Sequence, residues 1–370
     1  MFYRCTKPTL KKYFQEKLYT LAPYTPGEQP KSIGKIVKLN TNENPYPPSP
    51  AVKKAVTSIL SKGLLRRYSN PISEGVIREI AKLHKIPESH ILVTNGSDEG
   101  LAILFRATLG EGNIAIMPYP TYSLYPVLTS LQLNGAKVEQ VQLKDDFHFD
   151  FSKLQKSMNP KAKLLAFANP NAPTSIQESK TDIVNLIKKF DGMVLCDEAY
   201  IDFAPKGTSL ISEVKNLNNL VVSRTLSKSY GLAGLRLGYL VSSPENITEL
   251  MKIKDSYNLG MLEQEVAIAA LKDQAYLQKT VKRIIASRKK LAANLGKLGF
   301  KVLDSQTNFL FVKPPALISA EEIFLSLKKE EVYIRYFKDP FCKDYVRITI
   351  GTEEENKILL SKIKKAIASK

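Results

Sequence analysis

Two short runs carry side chains of the type and spacing that carbon–nitrogen chemistry requires. The apolar run Met193-Val194-Leu195-Cys196 reads as a buried strand and ends in Asp197-Glu198-Ala199-Tyr200, so Asp197 and Tyr200 emerge together at its carboxyl end. A second strand, NLVVSR, runs into Thr225-Leu226-Ser227-Lys228-Ser229-Tyr230-Gly231, and Arg236 follows eight residues after Lys228. Alone, a strand-terminal Asp is more often a turn or helix-cap residue, and a lone Ser-Lys means nothing in a chain with 54 Lys and Arg. Together the residues meet a single demand. Pyridoxal phosphate needs a lysine for its Schiff base and a carboxylate to keep its ring nitrogen protonated, and Lys228 and Asp197 supply both.

The phosphate of that cofactor is a dianion, best held by hydroxyls, by backbone amides at a helix start and by a planar guanidinium. Thr225, Ser227 and Arg236 suit those roles. A second source of amides is Asn95-Gly96-Ser97-Asp98, where the strand HILVTN turns into a helix; an ordinary helix cap by Ser97 is compatible with it. Tyr122, in PYPTYSLYP, could lay its ring on the pyridine face, and the run NPNAPTS after KLLAFA could place an amide beside the phenolic oxygen.

These groups must be positioned by the alternation of helical and strand patterns between about 51 and 256. A helix from Ala51 and another after Pro71 precede HILVTN; GSDEGLAILFRATLG, NIAIMP, TYSLYPVLTSLQL, AKVEQVQL, KLLAFANP, a helix near 177 to 190, MVLCDEAY, NLVVSRT and LRLGYLVS follow. Strands separated by helices predict an α/β domain, a mainly parallel sheet flanked by helices, and such sheets place ligands at the carboxyl ends of their strands. Residues 1–50 are Pro-rich and irregular, an arm expected to lie over a neighbour. Residues 257–370 predict a smaller α+β C-terminal domain: a long helical stretch near 263 to 298, then KVLD, NFLFVK, VYIRY and YVRITI interleaved with helices.

Composition removes other classes. The chain has 370 residues, 44% of them hydrophobic, enough for two cored domains. No run approaches a membrane span, and the charged start argues against a secretory leader. Cys5, Cys196 and Cys342 are odd in number and form no CxxC pair, which predicts reduced thiols, a cytoplasmic setting and no disulfide framework. His84, His90 and His148 have no metal-ligand spacing, so no metal is expected, and neither GxSxG nor a P-loop occurs. The net charge of +18 raises nucleic acid as a partner. Its basic residues run along the whole chain, mostly as Lys on polar helix faces, with no nucleic-acid signature; a solvated surface accounts for them.

The set KLNTNENPYPPSP, RRYSNP, NGSDE, PTYSLY, NPNAPTS, DEAYIDF, TLSKSYGLAGLRLGY, TNFLFV, VYIRYF and VRITIG resembles the fold-type I pyridoxal phosphate-dependent transferases, most of all the histidinol-phosphate aminotransferase family. The likeness covers nearly the whole chain, in order. TxSK(x7)R with an upstream DEAY is specific for the fold type; LAPYTPGE and the IR/RITIG tail pair narrow it to the histidinol-phosphate group. The resemblance implies a ping-pong transfer of an amino group from L-histidinol phosphate to 2-oxoglutarate by a homodimer. It assigns Lys228 to the Schiff base, Asp197 to the ring nitrogen and Tyr200 to the phenolic oxygen. Thr225, Ser227, Arg236, Ser97 and Asp98 match the phosphate cup, Tyr122 the stacking aromatic, and Tyr68 a tyrosine that reaches the cofactor phosphate of the other subunit. Arg347 matches the arginine that clamps the substrate's acidic group, and Tyr24 and Arg335 match residues near the substrate phosphate.

The chain departs from the family pattern at Ala172, where relatives carry Asn before Pro, at Ser175 in place of Gly, and at ISEGV after RRYSNP. The amide contacting cofactor and substrate is assigned to Asn171, with Asn169 in reserve. A threonine-phosphate decarboxylase and an aromatic or broad-specificity aminotransferase share the fold and stand as alternatives.

Overall fold

The computed structural model describes residues 13–21, 24, 27–30, 36–132 and 135–369; Cys5 and positions 22, 23, 25 and 26 of LAPYTPGE lie outside them. The first strand, β1 (Val37–Lys38), is followed by seven that form the main sheet: β2 (Ile91–Asn95), β3 (Ile114–Tyr119), β4 (Lys137–Gln142), β5 (Ala162–Ala168), β6 (Met193–Asp197), β7 (Leu220–Thr225) and β8 (Leu237–Val241). Their order is β2-β8-β7-β6-β5-β3-β4, and β8 alone runs antiparallel to its neighbours.

The centre of this sheet is apolar on both faces because helices cover both. Val194 and Cys196 of β6 face a core with Ile80, Ile183 and Leu186, while Leu195 between them faces Leu101, Leu104 and Phe105 on the other side, the two-residue period of a pleated strand. Helix starts are fixed by side chains. Ser49 accepts from Ala51 N ahead of α1 (Pro50–Ser61), with Pro50 at its first position. After α2 (Glu74–His84), α3 (Gly96–Thr108) springs directly from the end of β2.

A second sheet, β12-β13-β10-β9, is antiparallel and built from β9 (Lys301–Val302), β10 (Phe309–Lys313), β12 (Arg335–Tyr336) and β13 (Val346–Thr349). Its Phe309, Val346 and Ile348 pack against Ile284, Leu291, Ile323, Leu359 and Ile363 of three helices. VYIRY does not form one strand: β11 (Val332–Tyr333) leaves this sheet and pairs in parallel with β1. The helical stretch after residue 260 divides into Met261–Lys272 and Gln274–Lys297. Asp273 causes the break, since its carboxylate accepts from Tyr276 N at 3.2 Å, starting a new helix, and from Ser49 Oγ at 2.5 Å.

Residues 36–46 also differ from the expected arm over a neighbour. They are bound within their own chain, with Leu39 N donating to Tyr333 O and Thr349 N to Leu39 O. Prolines bar regular structure after Asn44, but the stretch before them has free amides, and it uses them to pair with β11, while the Leu39 carbonyl reaches the end of β13. No helix among the described residues is long and apolar enough to cross a membrane.

Candidate active site

The carboxyl ends of β2, β3, β5, β6 and β7 open on one cavity of about 620 Å³. At one edge β8 passes beneath the start of α3. A side chain at Gly238 would come within 2.5 Å of Ser97 N and 2.6 Å of Gly96 C, so only glycine allows strand and helix start to approach this closely. Gly96 itself has φ +71, and a Cβ there would meet the Arg236 guanidinium. The first amides of α3 therefore lie over Arg236, which reaches Asp98 Oδ2 at 3.2 Å and Ser227 Oγ at 3.4 Å. Thr225 Oγ1 lies 3.0 Å from Ser227 Oγ. Amides, hydroxyls and guanidinium make a basin of donors suited to a dianion.

Asp197 sits at the floor, buried at the end of β6. Its Oδ2 accepts from Tyr125 OH at 3.0 Å and its Oδ1 from Ala199 N at 3.1 Å. Burial raises its pKa to about 6, against the lowering effect of those two donors. Tyr122 forms one side, its hydroxyl 3.3 Å from Asp98 Oδ1 and its ring edge-on to those of Tyr125 and Tyr24. Lys228 leaves the turn after β7, which Asn44 Nδ2 holds through the carbonyls of Lys228 and Ser229. Its Nζ lies 3.4 Å from Thr41 O and 5.8 Å from the centre of the Tyr200 ring.

The facing wall comes from the second sheet. Arg335 and Arg347 are direct cross-strand partners on β12 and β13. Arg347 stands against the rings of Phe309 and Phe337 and donates to Asn40 O at 2.9 Å, while its buried Nε has no partner. Desolvation lowers its pKa, the Tyr200 hydroxyl opposes that shift, and the Arg335 charge adds to it.

One cavity thus holds an amine, a buried acid, a phosphate-type basin and two guanidinium groups. The family model for class I and II aminotransferases matches residues 34–363. The chain belongs to that family. This aminotransferase is 38% identical over 97% of its length to histidinol-phosphate aminotransferase 1 of a Nostoc species, covering 99% of that protein. It is 41% identical over 96% to a histidinol-phosphate aminotransferase of Brachyspira hyodysenteriae, again covering 99% of the relative. Among solved structures, histidinol-phosphate aminotransferase of Sinorhizobium meliloti in complex with pyridoxal-5'-phosphate superposes with a TM-score of 0.84 at 25% identity, over 90% of this chain and 92% of that one.

Twelve of the residues singled out in the sequence of this aminotransferase line the cavity: Lys228, Asp197, Tyr200, Thr225, Ser227 and Arg236 from the two central runs, with Ser97, Asp98, Tyr122, Tyr24, Arg335 and Arg347. Two do not. Tyr68 is 83% exposed and stacks on Tyr257 outside it. Asn171 is a correction: it is buried behind the wall, where Nδ2 donates to Pro120 O and Thr174 Oγ1 and Oδ1 accepts from Thr121 Oγ1. That amide anchors the turn carrying Tyr122. Asn169 is bonded to Glu178 in the same way and offers no substitute. The residues of this run that line the cavity are Ala172 and Pro173, and neither has an amide side chain. Ser175, which replaces the family's glycine, adopts φ 68, the left-handed conformation that glycine takes without strain.

The reading of the sequence missed Tyr125 and the residues of the stretch 40–44. Tyr125 looked like one more helical aromatic; its hydroxyl on Asp197 shows only in three dimensions. Asn40, Asn42 and Asn44 carried a signal, three amides at a spacing of two, which would share one side of an extended chain; the left-handed Asn42, at φ 56, departs from that geometry. The amides of Asn42 and Asn44 meet Tyr200 and the Lys228 turn, whereas that of Asn40 donates to Glu28 O and only its backbone carbonyl accepts from Arg347.

Proposed function

We propose that this protein transfers the amino group of L-histidinol phosphate to 2-oxoglutarate, in two half-reactions at one site, with pyridoxal 5'-phosphate as cofactor. The relatives named above support the substrate, and the pyridoxal-5'-phosphate complex of the Sinorhizobium meliloti protein supports the cofactor. The observation that carries the reading is the pairing of two walls. Lys228 and the buried Asp197 share a cavity with Arg335 and Arg347, so one ligand can meet an amine at one end and guanidinium groups at the other.

The residues fit the cofactor. The start of α3 with Thr225, Ser227, Arg236, Ser97 and Asp98 would hold its phosphate, Tyr122 would cover its ring, and Tyr200 would donate to its phenolic oxygen. Asp197 is a buried acid whose burial is relieved by a cation, and a protonated pyridine nitrogen is one. When bound, pyridoxal phosphate supplies an electron-withdrawing ring that accepts the electron pair left when a proton departs from the carbon bearing the amino group. Lys228 Nζ, as a free amine, takes that proton and later returns it. Arg347, with Arg335 and Tyr24, clamps the phosphate of one substrate and a carboxylate of the other; a planar fork suits both anions.

Residues 51–256 act as the large cofactor-holding domain and 257–370 as the small one, with 1–50 as an arm. The exposed Tyr68 reaches the partner subunit's cavity in a cytoplasmic homodimer, which would explain why it lies outside its own. The test is a donor screen on purified protein. Glutamate formed from L-histidinol phosphate and 2-oxoglutarate supports the reading. Glutamate from phenylalanine but not from that donor replaces it with a broad-specificity aminotransferase, and carbon dioxide from threonine phosphate with a decarboxylase.

A further inference from the structure

The hydroxyl of Tyr200 lies 2.9 Å from Nδ2 of Asn42, and both residues are buried. An amide can face either way, and its neighbours decide which. The Asn42 backbone N–H, which can only donate, lies 3.0 Å from Thr349 Oγ1. That hydroxyl accepts there and keeps its own proton to give, and Asn42 Oδ1 stands 3.2 Å away to receive it. The Asn308 amide donates to Asn42 O at 3.0 Å and helps hold the backbone at φ 56. With Oδ1 engaged by Thr349, Asn42 turns Nδ2 toward Tyr200, and Nδ2 has only hydrogens to offer. The Tyr200 oxygen therefore accepts from Asn42, and its single proton points elsewhere. The cavity is what Tyr200 faces on its other side, together with Lys228. No amide of the NPNAPTS run competes there, because Asn169 and Asn171 are engaged elsewhere and position 172 is alanine.

We infer that Asn42 is a positioning residue which, oriented by Thr349, fixes the direction of the Tyr200 hydroxyl and makes it a donor into the cavity. The inference rests on the pyridoxal phosphate reading, in which that donor meets the phenolic oxygen.

The experiment uses the holoenzyme and follows the pH midpoint of the visible absorbance of the lysine-bound cofactor, together with kcat and KM. Tyr200→Phe removes a donor to the phenolic oxygen and is expected to raise the midpoint by about one unit. Thr349→Val is uncharged and frees the Asn42 amide to turn its oxygen toward Tyr200, which then donates to it. The expected result is a midpoint raised by about half a unit or more, with no effect of the same change in the Tyr200→Phe background. Asn42→Asp, nearly isosteric and acceptor-only when ionised, draws the Tyr200 proton away. Its shift contains a charge effect common to both backgrounds, so its excess in the Tyr200-containing protein is expected to match the Tyr200→Phe shift. In each variant kcat falls about ten-fold while KM for the amino donor changes less than about two-fold, and the thermal midpoint of the cofactor-free protein shows that the fold is kept.

Shifts of equal size with and without the Tyr200 hydroxyl, or no shift for either variant while Tyr200→Phe does shift, would overturn the inference and leave the cofactor reading standing. A Tyr200→Phe midpoint that stays put overturns the inference together with the Tyr200 assignment, and a protein that develops no visible absorbance with pyridoxal phosphate overturns the cofactor reading as well.

Discussion

The two walls of the cavity satisfy their polar groups in opposite ways. On the main-sheet wall the phosphate basin is matched within the protein: Arg236 bridges Asp98 and Ser227, and the Thr225 and Ser227 hydroxyls are hydrogen-bonded to each other. On the second-sheet wall two like charges, Arg335 and Arg347, stand directly opposite each other, an arrangement that costs stability, and one buried guanidinium nitrogen has no partner. The basin of the first wall is assembled before anything binds and selects by position. The second stores positive charge that an anion neutralises, so it selects by charge and responds to occupancy.

Changes on the first wall should act on chemistry. Lys228→Ala should lower turnover about ten-thousand-fold and remove the visible absorbance of the lysine-bound cofactor; a variant that keeps both ends the assignment. Asp197→Asn should lower turnover by roughly a thousand-fold, yet leave the cofactor-free protein at least as stable at about pH 7.5. The reason is burial: raising a carboxyl from 3.8 to about 6 corresponds to roughly 3 kcal/mol against its ionised form. A fall in the thermal midpoint of the cofactor-free variant would contradict it.

On the second wall, Arg347→Leu should lower kcat/KM about a hundred-fold, most of it in KM. In protein loaded with pyridoxal phosphate, whose first-wall basin is filled, it should also remove the rise in thermal midpoint expected on adding inorganic phosphate to the parent. An unchanged KM would erase the distinction between the walls.

The pH dependence of cofactor binding sharpens it further. Because the folded pKa of Asp197 lies above its ordinary value, the contribution of this group to stability is present below about pH 4 and lost as pH rises through about 6. A cationic ring nitrogen restores it, so the rise in thermal midpoint on adding pyridoxal phosphate should be larger at about pH 7.5 than at about pH 5. Equal rises would mean that Asp197 does not face that nitrogen. The smallest effect belongs to Asn171→Ala, which should cost about 1–3 kcal/mol of stability through unmade buried hydrogen bonds and leave the chromophore midpoint alone.

The same division explains what the sequence disclosed. The first wall was legible because each of its groups ends a strand or starts a helix, so Asp197, Lys228 and Ser97 were placed by local pattern alone. The parallel sheet followed from alternating elements, although the reversed direction of β8 left no mark in its residues. Asn171 was misplaced because an amide's partners depend on the turn it packs against, here Pro120 and Thr121, fifty residues away in sequence. The division of VYIRY between two sheets and the break at Asp273 are likewise set by distant partners, β1 in one case and Ser49 in the other. The Asn40–Asn42–Asn44 spacing was visible, but nothing local says that Asn42 turns left-handed or what each amide will meet.

Asn42 and Thr349 lie 307 positions apart, and β1 waits for β11. A chain emerging from the ribosome can assemble the basin for the phosphate from residues up to Leu237, but its partly built cavity has no second wall until β13 has been made. Long-range closures of this kind slow folding, and a nascent or truncated product ending before residue 346 would be expected to capture the vitamin without being able to discriminate among amino donors.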